Sequence, residues 1–275
     1  MKAYLSLLFS FVLTLAFNLS LQAGGPENFS QGKKSAYKIY QKLYPKGHKS
    51  KTFYCNCSYD ADKNIDGSCK NLGAEKLNWE HIVPAHALGL VMGVWPVKKV
   101  KGKKDRYTTT GKKWVTPEAC MIKGGTNKGK AMANRACAEK FSRFNQAEGD
   151  LYNLVPAIAK LNKKRSNYPF AAMAQGGELA NSCFMEVRGP KGKKKAYVQQ
   201  KIQGNVARAY LYMDKTYGKN QLLTKEERNK FEAWSKSDPP TEFDCKRAQM
   251  IYKITGVKNP YVLCKPADLA DLVMN

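Results

Sequence analysis

The sequence predicts an α+β fold in which short early strands and late helices are cross-linked by disulfides. In the last third of the 275-residue chain, apolar residues recur at helical spacing, for example from Asn205 to Tyr217. Upstream, the run Thr52–Cys55 is typical of a short strand. The eight cysteines are an even number, and 43% apolar residues are enough to form a sizeable core.

The predicted elements form a single mixed domain, because no internal repeat or long linker divides the chain. A first helix is expected over Phe29–Leu43, where apolar side chains fall at helical spacing. Pro156 is expected in the first turn of a later helix, since its fixed φ suits that position. Two further helices are expected to begin at the capping residues Thr224 and Thr241, and Gly256 ends the second.

Residues 1–23 are expected to be a secretory signal peptide, which leaves residues 24–275 as the mature domain. Lys2 provides the positive start, Tyr4–Phe17 is uncharged and apolar, and Ala23 is a small residue at the cleavage position. A transmembrane anchor is the alternative, but the apolar run is shorter than the ~20 residues that span a bilayer. We therefore expect a protein of the periplasm or a secreted protein, without membrane attachment.

All the cysteines lie in the mature region, and we expect up to four disulfides in an oxidising compartment. A zinc site is the alternative, but the chain has no C-x-x-C pair of the kind that structural zinc sites use. The sequence does not choose among the many possible pairings. The cysteines are Cys55, Cys57, Cys69, Cys120, Cys137, Cys183, Cys245 and Cys264.

The charge balance favours a nucleic-acid partner. Lys and Arg number 47 against 22 Asp and Glu, a net charge of +25, which attracts polyanions far more strongly than binding a small anionic metabolite requires. Two lysine-rich loops, residues 98–113 and 188–195, add to this surface, although solvated loops without a partner are the alternative. In the first loop, the candidate nucleic-acid contacts are Lys98, Lys99, Lys101, Lys103 and Lys104.

The adjacent pair Glu80 and His81 suits metal-assisted hydrolysis. A carboxylate is a hard oxygen ligand for Mg²⁺, and a neutral imidazole can accept a proton from water. A zinc metalloprotease is excluded, because its two histidines lie four residues apart on one helix. Here His81 and His86 are five apart, and Pro84 between them would break such a helix.

A second polar segment runs from Glu148 to Asn167. Within it, Asn162 is expected near the C-terminal end of the helix that follows Pro156, where its amide oxygen could face a metal ion. Helix capping and turn formation are the ordinary alternative roles of Asn and Asp.

Together these segments resemble the bacterial endonuclease I family, periplasmic or secreted non-specific nucleases with a ββα-metal (His-Me finger) active site. The resemblance covers the mature chain and rests on several separated motifs in the same order. These motifs are Phe53–Cys57, Trp79–Ala85, Glu148–Ala157, Asn162–Asn167, Ala207–Met213, Phe231–Trp234 and Asn259–Val262.

The resemblance implies a role for each matching residue. Glu80 and Asn162 are implied as Mg²⁺ ligands, with Mn²⁺ or Ca²⁺ also able to occupy the site, and His81 as the general base. Glu148 matches an acidic residue beside the site. Arg135 is the candidate phosphate contact, although the family's arginine directly precedes a cysteine and Arg135 lies two residues before Cys137.

The remaining implications concern the substrate. Arg165 is expected to contact nucleic acid. The lysine-rich stretch of about residues 94–118 is interpreted as an insertion relative to the family. The implied activity is cleavage of double-stranded DNA, with single-stranded DNA and RNA as further substrates, without sequence specificity, by a monomer that leaves 5′-phosphate ends. The alternative is an inactive secreted protein that binds polyanions through its lysine-rich loops, but the presence of Glu80, His81 and Asn162 favours the enzyme.

Overall fold

The computed structural model describes most of residues 25–265. The signal peptide expected at residues 1–23 and the candidate DNA contacts of the first lysine-rich loop, residues 98–104, lie outside the described residues. The description covers residues 25–44, 49–72, 76–95, 120–126, 128, 134–173 and 183–265.

Helices and short strands are both present along the described residues, and the last three elements are helices, in agreement with the expected α+β class. The helices are α1 (Phe29–Leu43), α2 (Ala85–Val91), α3 (Asn134–Ala138), α4 (Ser142–Gly149), α5 (Ala159–Arg165), α6 (Gln200–Thr216), α7 (Lys225–Ser237) and α8 (Glu242–Thr255), with a 3₁₀ helix at Gly67–Leu72. The strands are β1 (Ser50–Lys51), β2 (Ser58–Tyr59), β3 (Leu77–His81), β4 (Leu154–Ile158), β5 (Phe170–Ala172), β6 (Met185–Arg188) and β7 (Lys195–Val198).

The strands form three small sheets. The pairs β1–β2 and β3–β4 are antiparallel, and the third sheet has the order β5–β7–β6 with β5 parallel and β6 antiparallel to β7. In the second sheet Glu80 lies opposite Val155 and His81 opposite Leu154. Helix α5 follows β4 directly and packs against both strands of this sheet, so that strand β3, which carries Glu80 and His81, lies against β4 and α5.

Pro156 lies in strand β4, so the expectation that it begins a helix is wrong. Its register partner is Trp79 on β3, and its carbonyl accepts a hydrogen bond from the Phe53 amide on the other edge of the strand, at 2.7 Å. Its backbone nitrogen therefore also points away from β3, and the missing N–H breaks no bond between the strands. The helix begins only at Ala159.

The expected strand at Thr52–Cys55 is also absent, because this segment is the turn that connects β1 and β2. The Asn56 amide donates to the Thr52 carbonyl at 2.9 Å, and Asn56 adopts a positive φ of 53°. Asn tolerates this left-handed backbone better than most residues, so the chain can reverse here.

The late helices are confirmed. The side chains of Thr224 and Thr241 each accept a hydrogen bond from the amide three residues on, and the carboxylates of Glu227 and Asp244 accept one from the threonine backbone amides, which completes two capping boxes. Gly256 ends α8 in the left-handed conformation. Helix α6 begins earlier than expected and is buried along most of its length, so it forms the centre of the core.

Disulfide formation is confirmed, and the structure supplies the pairing that the sequence left open. The four bridges leave no free cysteine among the described residues. They are Cys55–Cys183, Cys57–Cys69, Cys120–Cys137 and Cys245–Cys264. Within the described ranges, no helix combines the length and the apolar character needed to cross a bilayer.

Candidate active site

Glu80 is almost completely buried on β3, with 2% of its surface exposed. The Tyr54 hydroxyl donates to its Oε1 at 2.8 Å, and Nη1 of Arg165 lies 3.0 Å from the same oxygen. Burial raises the pKa of Glu80, while the positive charge of Arg165 and the Tyr54 hydrogen bond oppose that rise. Both contacts use Oε1, and neither of them occupies Oε2, which is the carboxylate oxygen available as a ligand atom.

The orientation of His81 follows from one hydrogen bond. Its Nε2 lies 2.8 Å from the backbone carbonyl oxygen of Glu148. A carbonyl oxygen can only accept, so Nε2 carries the hydrogen and the neutral ring keeps a lone pair on Nδ1. The Phe29 ring packs against the imidazole with centroids 4.5 Å apart.

The imidazole of His81 is held in its neutral form. Burial lowers its pKa to about 4, and the positive charges of Arg135, Arg165 and Lys33 lower it further, against the raising effect of the Glu148 carbonyl. At neutral pH the ring is therefore unprotonated and able to accept a proton.

Asn162 faces the same strand from helix α5. Its Nδ2 donates to the Trp79 carbonyl at 3.0 Å, which fixes the amide and leaves its oxygen free to bind another group. Asn162 and Arg165 are three residues apart on α5, so both lie on the helix face that meets β3. The helix thus brings an amide oxygen and a guanidinium to the strand that carries Glu80.

One carboxylate and one amide oxygen fit a hard divalent cation such as Mg²⁺, which keeps several waters and needs few protein ligands. In the described part of the chain, no cluster of three or more His, Cys, Asp or Glu side chains could hold a metal. The donor chemistry of Glu80 and Asn162 therefore suits Mg²⁺ better than zinc, which prefers nitrogen and sulfur ligands.

Glu148 and Arg135 form a pair beside His81. The Glu148 side chain is buried, and Nη2 of Arg135 lies 2.9 Å from its Oε1 and 3.2 Å from its Oε2. Burial raises the pKa of Glu148, and the charge of Arg135 opposes this. Arg135 also pairs with Glu139 at 2.8 Å, yet half of its side chain is exposed. Its guanidinium is therefore anchored at the site and still open to solvent.

Arg165 is buried, and this corrects the expectation that it contacts nucleic acid. Only 1% of its surface is exposed, and its guanidinium lies 4.4 Å from the centre of the Phe170 ring. It donates to the backbone carbonyls of His81 at 2.9 Å and Ile82 at 2.5 Å. The neighbouring Lys163 and Lys164 are exposed, and this local run of basic residues made Arg165 resemble a surface side chain.

Sequence reasoning missed three residues of this site. Tyr54 holds Glu80, Phe29 packs on His81, and the Asn153 side chain pairs with both backbone groups of Val83, at 2.7 and 3.0 Å. Asn153 thereby fixes the chain directly after β3. Tyr54 and Asn153 fall within the motifs that suggested the family, but no spacing rule connects them to partners 26 and 70 residues away.

The structure brings the other expected residues together. Glu80, His81, Arg135, Glu148, Asn162 and Arg165 form a continuous set of contacts around β3.

The chain matches the family model described as Endonuclease I over residues 19–265. It belongs to the endonuclease I family. A periplasmic deoxyribonuclease of Aeromonas hydrophila is 30% identical over 272 residues, which cover 93% of each chain. An extracellular deoxyribonuclease of the same organism is 29% identical and covers 93% of this chain and 96% of its own.

A third relative, named Endonuclease-1, comes from Buchnera aphidicola (strain APS). It is 29% identical over 246 residues, which cover 86% of this chain and 80% of the relative. Membership of the endonuclease I family supports a nuclease, and thus a hydrolase, as the class of this protein.

Proposed function

We propose that this member of the endonuclease I family is an exported, metal-dependent endonuclease that hydrolyses the phosphodiester bonds of DNA. The names of its relatives support DNA as the substrate and the periplasm or the extracellular space as the location. The expected signal peptide points the same way.

One observation carries the proposal: the carbonyl of Glu148 holds Nε2 of His81 and leaves Nδ1 as a proton acceptor on the strand that also carries Glu80. In the proposed reaction, a water oxygen attacks phosphorus while its proton passes to Nδ1 of His81. The bond from phosphorus to the 3′ oxygen breaks, that oxygen takes a proton from solvent water, and His81 later releases its proton to solvent, so the products carry 5′-phosphate and 3′-hydroxyl ends. The neutral state of the ring prepares it for this role.

Glu80 and Asn162 are the residues that would hold Mg²⁺, with Mn²⁺ or Ca²⁺ as alternative occupants. The bound ion supplies charge stabilisation to the phosphate in the transition state. Tyr54 and Arg165 hold Glu80 through Oε1, which leaves Oε2 as the atom for this task.

Arg135 is proposed to contact the scissile phosphate. Its pairing with the buried Glu148 orients the guanidinium, and its half-exposed position leaves donors for a phosphate oxygen. Arg165 has a different task, because it is buried and positions Glu80 and the backbone of His81.

Recognition is proposed to depend on phosphates and not on bases. A net charge of +25 gives affinity without sequence information, so double-stranded DNA, single-stranded DNA and RNA are all proposed substrates of a monomeric enzyme.

Plasmid digestion with His81→Ala tests this proposal, with His86→Ala as the control. His86 is a histidine five residues away on α2 that bonds Asn167 instead of the site. We expect His81→Ala to lower cleavage by at least ~10²-fold. EDTA should abolish cleavage and added Mg²⁺ restore it. Binding without cleavage by the unaltered protein in Mg²⁺ would instead favour the inactive polyanion-binding protein.

A further inference from the structure

Helix α1 presents a basic face to a groove that leads to His81. Its residues at positions 30, 33, 34, 37, 38 and 41 recur at helical spacing and lie along one side. The opposite side, with Gly32, Ala36, Ile39 and Tyr40, is buried in the core. Three of the groove-facing residues are lysines, Lys33, Lys34 and Lys38.

The groove lies between this face and the start of β3 and has a volume of about 590 Å³. Its lining contains four lysines and no acidic residue: Ser30, Lys33, Lys34, Tyr37, Lys38, Gln41, Lys63, Leu77, Asn78 and Trp79. Two acids of the adjacent loop, Asp60 and Asp62, act on Tyr37, and the amide and side chain of Asn64 donate to the Asp60 carboxylate.

Two contacts connect the groove to the candidate active site. The Lys33 ammonium lies 4.5 Å from the centre of the Phe29 ring, and that ring packs on His81. On the other wall, Trp79 directly precedes Glu80 and accepts the hydrogen bond from Asn162. One end of the groove is therefore a single aromatic ring away from the proposed general base.

We propose that this groove, which we call the α1 groove, binds the sugar–phosphate backbone of the DNA on one side of the cleaved bond. This inference rests on the proposed function and adds a substrate subsite to it. From position 30 to position 41 the helix rises about 16 Å, and over this length along the duplex axis one strand presents about five phosphates, at about 3.4 Å of axial rise each. Four lysines without an acid in the lining suit such a polyanion.

The test compares three full-length variants with the unaltered protein. The groove variant changes Lys33, Lys34, Lys38 and Lys63 to Gln. A second variant changes the same four residues to Arg. The control variant removes the same charge from exposed lysines of α6, α7 and α8 that do not line the groove, by changing Lys215, Lys225, Lys236 and Lys253 to Gln.

Binding of a fluorescent duplex of about 20 base pairs is measured in EDTA, where cleavage does not interfere, from about 50 to 300 mM NaCl. Each lost phosphate contact lowers the slope of log Kd against log salt by ~0.9, so loss of two to four contacts lowers it by ~1.8–3.6. We expect this change for the groove variant, a change below ~0.9 for the control, and a retained slope for the Arg variant.

Equal slopes of log Kd against log salt for the groove and control variants would contradict the proposed subsite. A groove variant that loses binding to anionic phospholipid vesicles but keeps binding to DNA would also contradict it. Circular dichroism of each variant separates a folding defect from a binding defect, and the Arg variant keeps the test valid if Gln replacements unfold α1. Failure of the proposed function has a different signature, because the unaltered protein would then bind the duplex without cleaving it in Mg²⁺.

Discussion

Replacement of Arg165 by Met is expected to destabilise the protein strongly, because it leaves a buried carboxylate without its charge partner. Glu80 is 2% exposed, and Arg165 lies 3.0 Å from its Oε1. Breaking a buried pair by removing one partner costs about 3–5 kcal/mol. The loss also leaves the carbonyls of His81 and Ile82 without a donor, at about 1–3 kcal/mol for each buried group.

The charge contribution can be separated by a second substitution. In Glu80→Gln/Arg165→Met the carboxylate is gone, so only the two carbonyls remain unsatisfied, and we expect the double variant to be more stable than Arg165→Met by about 2–3 kcal/mol. In Arg165→Met the pKa of Glu80 should rise further, so the folded state binds an extra proton. Its stability should therefore fall as the pH rises above the ordinary Glu range and recover towards acid.

Guanidinium chloride unfolding in EDTA, with the disulfides intact, measures these differences. The matched control is the exposed pair Glu186 and Arg188, whose atoms are 2.8 Å apart on β6. Its Arg188→Met and Glu186→Gln variants should change stability far less, since solvent screens an exposed pair. An Arg165→Met variant as stable as Arg188→Met, or a double variant no more stable than Arg165→Met, would refute the reasoning.

Three further predictions concern pH, redox state and the first lysine-rich loop. Because folding lowers the pKa of His81 to about 4, its contribution to stability is complete above pH ~6.5 and is lost towards pH 4. Between pH 7.5 and 5, the unaltered protein in EDTA should therefore lose about 2 kcal/mol more unfolding free energy than His81→Asn, and parallel curves would contradict this. Removal of the Cys55–Cys183 bridge, whose cysteines are 128 residues apart, should cost about 2 kcal/mol more than removal of Cys57–Cys69, which spans 12. Thermal unfolding of the paired Ser variants measures that difference, and the reverse order would contradict it. The last prediction concerns the five candidate lysines of the first loop, Lys98, Lys99, Lys101, Lys103 and Lys104. Replacing them with Ser should raise KM for DNA and lower the slope of log KM against log salt by ~0.9 per lost phosphate contact. An unchanged slope would indicate a solvated loop that does not contact DNA.

The sequence predicted those elements whose causes are local. The helices α7 and α8 begin at Thr224 and Thr241 because a side chain there bonds an amide three residues away, and such patterns are visible in the sequence. Helix α1 was likewise predicted from its spacing. Pro156 was placed wrongly because pairing with Trp79, 77 residues away, outweighs the local preference of proline for a helix start.

For the candidate site, the sequence supplied the chemical residues but not what holds them. Glu80, His81 and Asn162 were proposed from their motifs, whereas the partners of Glu80 depend on contacts between distant segments. Arg165 shows the limit most clearly, because its neighbours are exposed lysines. The spacing between Asn162 and Arg165 places Arg165 on the buried face, but this follows only once α5 is known to begin at Ala159.

The disulfide framework and the candidate site meet at Tyr54. Tyr54 directly precedes Cys55, which is bound to Cys183, and the next residue, Phe184, donates its amide to the Tyr54 carbonyl at 2.5 Å. The Tyr54 hydroxyl then holds Oε1 of Glu80. The carboxylate proposed to bind the metal is therefore positioned by a residue that a covalent bridge fixes in place. Because that bridge forms in an oxidising compartment, we expect folding of the proposed active site to depend on the proposed export in the same way as the stability of the chain.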